Sequence, residues 1–287
     1  MSTDNSELYG VFAATGKQGS ATAQALLEQG VRVRALVRRP ESEQAGDLAA
    51  RGAEVVLADL DRPETLGPAM DGLDALWFMT TMNTPDGPAG EAPMAKALGD
   101  AAVEAGVGRL VFSSVDGAER NSGVPHFDSK YDAEQYLQGL PIGLTVVRPV
   151  FFMENLPYLA AVEDAETVLR MPLPDGIPLQ MVAVRDVGRV AAAALLDPAD
   201  IPGGAVGVAG DELTGTEIAS VLGAAAGMPG RYEALPLETL AGQADSQAMF
   251  RWFGQLPAYQ GDFEATNTLA RGALDLDSWL VSNAVRP

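Results

Sequence analysis

The chain has no cysteine among its 287 residues, which excludes disulfides and thiolate chemistry. It contains one histidine, His126, and only three lysines, Lys17, Lys96 and Lys130; every other cation is arginine. It lacks any run of about 18 apolar residues, so no segment is expected to cross a membrane. The N-terminal stretch Met1 to Glu7 is polar and acidic, without the basic and apolar regions of a secretion signal, and a cytoplasmic location is the expectation. Positive charge is scarce as well: 19 basic residues face 39 acidic ones, a net charge of −20. Such a surface repels phosphate backbones and argues against nucleic acid as a partner. No group of His, Asp and Glu has the spacing of metal ligands, so no metal is expected.

What is present suits a globular enzyme-sized chain. Hydrophobic residues make up 47% and charged residues 20%, enough for a substantial core. The length allows a main domain with a smaller lobe.

The stretch from Leu8 to Arg39 organises the rest. A short apolar run, Leu8 to Ala13, leads into the turn Ala14-Thr15-Gly16-Lys17-Gln18-Gly19. A helical segment from Ser20 to Gly30 follows, then an alternating strand from Val31 that ends in Arg38-Arg39. This is the pattern of a β-α-β unit carrying a dinucleotide-phosphate turn. Gly16 and Gly19 let backbone and helix approach a pyrophosphate, and the helix N-terminus offers it free N–H groups. Ala13 stands where the usual pattern has its first glycine; alanine fits if φ is negative there and is strained otherwise. Arg38 and Arg39 occupy the strand end at which an acid would select a free ribose 2′-hydroxyl. Two cations there point to a 2′-phosphate, hence NADP(H).

Short strands and helices then alternate. Strands are expected at 53–58, 73–79, 109–112 and 142–148, with helices at 40–51, 91–106 and 131–138. This is an α/β fold, a Rossmann-type doubly wound parallel sheet. The main domain is expected at 1–156, with a strand and helix at 181–197 packing back on it. A smaller C-terminal α/β lobe is expected from 157–180 and 198–287. Strand ends line the ligand crevice of such sheets, so Phe78, Met79, Thr80 and Ser113 are candidate cofactor contacts, with Pro149, Phe152 and Asn155 beside the nicotinamide. Asp59 could accept a hydrogen bond from an adenine amino group, or serve as a turn or capping residue before Pro63.

Several ordered motifs resemble the NmrA-like proteins, a group of atypical short-chain dehydrogenase/reductases. They are Val11 to Gly19, Gln44 to Asp61, His126-Phe127-Asp128-Ser129-Lys130, Phe152-Met153-Glu154-Asn155-Leu156, Val184 to Gly188 and Leu276 to Leu280. The resemblance spans nearly the whole chain. It implies a Rossmann domain binding NADP(H) and a small C-terminal lobe. It leaves two activities open: reduction of quinones or dyes, and non-catalytic sensing of the NADPH/NADP ratio on behalf of a protein partner.

Ordinary short-chain dehydrogenases use Tyr-x-x-x-Lys, the tyrosine as proton donor and the lysine to hold the nicotinamide ribose. Here His126 stands at the tyrosine position, four residues before Lys130. The two share a face if the helix already includes His126, and do not if Asp128 is its cap. His126 and Lys130 are the catalytic candidates, with Tyr158 as a fallback donor; Lys130 is also the candidate ribose contact. Ser113 and Ser114 lack a Gly-x-Ser-x-Gly elbow, which excludes a serine hydrolase. A reductase acting on a small carbonyl, quinone or conjugated substrate is the favoured expectation.

Overall fold

The computed structural model describes residues 7–283, so of the acidic N-terminal stretch read above only Glu7 falls within it. Thirteen strands are described: β1 (Leu8–Phe12), β2 (Arg32–Val37), β3 (Glu54–Leu57), β4 (Ala75–Met79), β5 (Arg109–Ser113), β6 (Gly143–Pro149), β7 (Phe151–Phe152), β8 (Ala160–Glu163), β9 (Glu166–Met171), β10 (Leu179–Val182), β11 (Ala205–Val208), β12 (Asp211–Leu213) and β13 (Gly230–Ala234). The α-helices are α1 (Lys17–Glu28), α2 (Glu43–Ala50), α3 (Leu66–Met70), α4 (Glu91–Glu104), α5 (Pro125–Gln138), α6 (Val184–Leu196), α7 (Gly215–Ala226), α8 (Ala244–Phe253), α9 (Phe263–Leu269) and α10 (Leu276–Asn283).

Seven strands form one parallel sheet in the order β11-β6-β5-β4-β1-β2-β3. Strand side chains alternate between its faces, and both faces are apolar because both are covered. Val11, Trp77 and Val111 point to the side of α1 and α6, where they meet Ala23, Leu26, Val187 and Val190. Phe12, Phe78 and Phe112 point to the other side, against Met70 of α3, Leu98 of α4 and Leu137 of α5. Burying each of these large side chains contributes about 1.5–3 kcal/mol. Strand order reverses between β1 and β4, and their C-terminal ends bound the crevice where such sheets bind ligands.

The expected doubly wound sheet is present, with one reassignment. β11 lies in a stretch assigned above to the smaller lobe, yet it pairs with β6 from Ala205–Val146 to Val208–Pro149 and is the seventh strand of the main sheet. α6 packs against α1, whereas the strand expected to pack back with it, β10, pairs with β7 and β12 outside the main sheet. A Cβ added at Gly188 would lie 2.4 Å from the carbonyl carbon of Ala21, so α6 can cross α1 this closely only with glycine at that position. The other six strands form two three-stranded sheets, β12-β10-β7 and β13-β9-β8, the first drawing β7 from the stretch expected in the main domain. α7 is closed at its start by a capping box between Thr214 and Glu217. No helix among the described residues is long and apolar enough to cross a membrane.

Candidate functional site

The turn after β1 is tighter than its sequence suggests. Ala13 has φ +53°, the left-handed region, which costs a residue bearing a Cβ roughly 1–2 kcal/mol. The Gly16 N–H donates to the Ala13 carbonyl at 2.9 Å, and Gly16 in turn accepts from Ser20 at 2.8 Å. α1 therefore starts at Lys17, not at Ser20 as its composition suggested. Gly16 is its N-cap and, having no side chain, leaves the first N–H groups without a side-chain cap. A Cβ on Gly19 would sit 2.3 Å from the Ala13 carbonyl oxygen, so glycine there is what lets the helix close onto the turn. Thr15, Gly16 and Lys17 are exposed, while Ala14 is buried beneath them.

This cradle is tied to the neighbouring strand ends. The Ser113 hydroxyl, at the end of β5, donates to Gln18 Oε1 at 2.6 Å. Ser114 follows with its hydroxyl buried and without a partner. Arg38 and Arg39 emerge just past β2, both exposed, and neither has an ion-pair partner among the described residues. Asp59 takes the turn role: its carboxylate accepts the Asp61 N–H at 3.1 Å. Pro149 ends β6, and its carbonyl accepts the Asp116 N–H. Phe152 and Asn155 follow it, half-buried. Met79 is half-buried against the core.

Phe78 requires a correction. Its side chain is fully buried and packs on Phe112 with ring centroids 5.2 Å apart, because position 78 points to the α4/α5 face. Its side chain cannot form a wall of the crevice; Thr80, one residue past β4, is buried as well, its hydroxyl donating to Glu91.

α5 begins at Pro125, so His126 is helical and shares the helix with Lys130 one turn on. Their side chains nevertheless find different partners. His126 Nδ1 lies 2.8 Å from Asp245 Oδ2 of α8, and the His126 N–H donates to Asp245 Oδ1 at 2.9 Å. Burial pushes the Asp245 carboxyl up, but the hydrogen bonds and charge of His126 outweigh it and hold the group below the usual carboxylate range. Lys130 is buried and paired with the Glu91 carboxylate at 3.0 Å; its Nζ also donates to the Thr80 carbonyl at 3.2 Å and the Thr80 hydroxyl at 3.3 Å. Tyr158 is 78% exposed, and the Lys17 ammonium stands 5.3 Å from its ring centroid, a cation–π arrangement that places the tyrosine beside the cradle.

Three candidates were not singled out from the sequence: Glu91 and Asp245, which carried no signal of their own, and Glu154, which lies within the Phe152 to Leu156 motif. Glu154 Oε1 accepts from the Val184 N–H and from Trp279 Nε1, each at 3.0 Å, while Oε2 is buried without a partner. Burial pushes this carboxyl above its ordinary range. Among the described residues no group of three or more His, Asp and Glu could hold a metal. A cavity of ≈ 360 Å³ lined by Gln180, Glu212, Phe253 and Tyr259 opens in the smaller lobe and shares no lining residue with the cradle.

The sheet order, the glycine turn at its switch point and the uncapped helix beyond it define a Rossmann-type protein with a dinucleotide-type cradle. A family model, the NmrA-like family, matches residues 6–280, and the chain belongs to that family. An NAD(P)H azoreductase from Xenophilus azovorans is 35% identical over 229 residues, covering 79% of this chain and 77% of the relative. The negative transcriptional regulator Nmra, solved in complex with NAD, superposes with a TM-score of 0.81 at 21% identity, covering 98% of this chain and 99% of that one. An NADPH-dependent quinone oxidoreductase from Escherichia coli, solved with NADPH, gives a TM-score of 0.79 at 22% identity over 96% of this chain and 100% of that one.

Proposed function

We propose that this protein is an NADPH-dependent reductase of a small carbonyl, quinone or other conjugated acceptor, and that conjugated acceptors suit it best. The observation that carries the cofactor half is the cradle with two exposed arginines at the end of β2 that have no ion-pair partner among the described residues. A Cβ on Gly16 would approach the Ala13 carbonyl oxygen to 3.3 Å, so the turn and helix N-terminus suit a bound pyrophosphate. Arg38 and Arg39 would meet a 2′-phosphate, while Thr15, Gly16, Lys17 and Gln18 would hold the pyrophosphate side. Ser113, Pro149, Phe152 and Asn155 would bound the nicotinamide end. NADPH, when bound, supplies a hydride; the chain's own work is to hold and orient both reactants.

The acceptor class follows from what His126 and Lys130 are doing. His126 is turned through Nδ1 onto Asp245 of α8 and Lys130 is held by Glu91, so the reading that asks no dedicated proton donor of either is preferred to one that reduces a simple ketone. A quinone, azo or extended conjugated acceptor spreads the charge left by hydride addition and can take its proton from water. Similarity to the Xenophilus azoreductase and to the Escherichia coli quinone oxidoreductase supports the same range. The same engagement of His126 and Lys130 also favours a second reading, a non-catalytic NADPH/NADP sensor that a protein partner recognises.

Titration with NADPH and NADH, followed by NADPH oxidation with a panel of quinones, azo dyes and enones, separates these. We expect NADPH to bind at least tenfold more tightly than NADH, with the preference lost in Arg38→Ala/Arg39→Ala. Equal affinities would refute the 2′-phosphate argument. Binding without turnover across the panel would select the sensor.

A further inference from the structure

Lys130 is the one lysine of three that the fold buries, and its surroundings are built around it. Glu91 is the first residue of α4 and is 1% exposed. Its carboxylate accepts from Lys130 Nζ at 3.0 Å, from the Thr80 hydroxyl at 3.2 Å and from the Ser129 hydroxyl at 3.2 Å. Lys130 fills its three donor positions with Glu91 and the two oxygens of Thr80. The Phe112 ring centroid lies 5.8 Å from the ammonium.

This cluster lies at the crevice. Met79 and Ser113 are register partners at the ends of β4 and β5, Thr80 is the next residue, and Gln18 of α1 reaches Ser113. The Lys130 side chain keeps 11% exposure where Glu91 keeps 1%, so the pair is sealed on the glutamate side and open, slightly, on the lysine side.

We infer that Glu91 is the positioning residue of this site: it fixes the Lys130 ammonium against Thr80 at the floor of the crevice, where its charge acts on the nicotinamide half of the nucleotide. The inference rests on the cofactor reading above. A lone ammonium buried among hydroxyls and a carbonyl would swing away towards water, because burying an unpaired charge is costly. The carboxylate prevents this. Its own charge is stabilised by the N-terminus of α4 and by two hydroxyl donors. The other charged groups near Lys130 on α5 are spent elsewhere: His126 on Asp245, and Glu134 on Arg148.

The small lysine count makes the test direct. Uniform labelling with ¹⁵N-lysine gives three side-chain signals, assigned with Lys17→Arg and Lys96→Arg. NADPH affinity is measured on the same samples. Glu91→Gln keeps the shape and the hydroxyl contacts but removes the charge. In this variant the Lys130 signal should broaden or move towards those of the two exposed lysines, and NADPH should bind about tenfold more weakly, approaching Lys130→Met. Glu91→Asp, which keeps a carboxylate, should restore both in part, and it is the test variant should Glu91→Gln fail to fold. An unmoved Lys130 signal in Glu91→Gln overturns the inference. So does a moved signal that NADPH affinity does not follow, which would leave the pair a purely structural tie. A moved signal in a chain whose parent binds no NADPH would overturn the cofactor reading, and with it the role assigned here to Lys130.

Discussion

Replacing Ala13 by glycine tests the strain in the cradle. At φ +53°, alanine costs roughly 1–2 kcal/mol relative to a residue free to adopt this conformation. Glycine removes that cost but brings a more flexible unfolded chain, worth about 0.4–1 kcal/mol against it. It also forfeits one half-buried methyl group, about half of the ~0.8 kcal/mol that a fully buried one contributes. The net effect runs from a loss of about 0.4 to a gain of about 1.2 kcal/mol, centred on a slight gain. The control is Ala225→Gly on the exposed face of α7, where φ is helical and the same exchange should cost about 1 kcal/mol. Urea unfolding of both variants beside the parent measures the contrast. If Ala13→Gly loses as much as Ala225→Gly, the left-handed backbone at position 13 stores no strain and the reasoning fails. NADPH affinity should be held or improved in Ala13→Gly, since the variant restores the third glycine of the turn.

Two further substitutions follow from carboxylates the crevice shares with the smaller lobe. His126→Phe removes the imidazole from Asp245 while leaving the backbone N–H bond, and should destabilise the chain by about 1–3 kcal/mol in thermal or urea unfolding. Turnover of quinones should survive it; abolished turnover with intact cofactor affinity would make His126 the proton donor. Because the Asp245 carboxyl is held below its ordinary value, its contribution is present above the unfolded pKa and lost as pH falls through the folded one. The parent's advantage over His126→Phe should therefore shrink in strongly acid solution. Glu154 has the opposite sign: its raised pKa means the folded state binds the proton more tightly, so the parent gains stability as pH falls towards that value. Glu154→Gln keeps an acceptor for Val184 and Trp279, and should compare best with the parent at pH 7–8, the comparison worsening steadily towards pH 5. A pH-independent difference would refute the assignment.

The main sheet was legible because its signals are local. Each strand from β1 to β6 is a short apolar run bounded by glycine or a polar turn, and each lies within two residues of its expected limits. β11 was not legible as a member of the main sheet, and its stretch was assigned to the smaller lobe. It pairs with β6 across an interval that includes two strands of each minor sheet and α6, and nothing in Ala205-Val206-Gly207-Val208 specifies that partner. The starts of α1 and α5 were placed too late, at Ser20 and Tyr131 rather than Lys17 and Pro125. Lys17 to Gly19 became helical because Gly16 can serve as an N-cap with φ −80° and ψ 167°, a choice the backbone makes and the composition does not announce.

The same limit explains the site. His126 and Lys130 could be singled out because four-residue spacing on a helix is visible in one dimension. Phe78 was misassigned because proximity to a strand end says nothing about which face a side chain takes; the alternation that buries Val11 on one side sends Phe12, Phe78 and Phe112 to the other. Glu91 was invisible for a stronger reason. An acid at the first position of a helix, after a loop rich in glycine and proline, already has a sufficient local explanation in the helix dipole. Its pairing with Lys130 spans 39 positions and exists only because α4 and α5 pack side by side on one face of the sheet. Lone carboxylates beside strand ends are therefore where a one-dimensional reading of such a chain fails first. They are cheap to justify locally, and the fold alone decides which of them meets a buried cation.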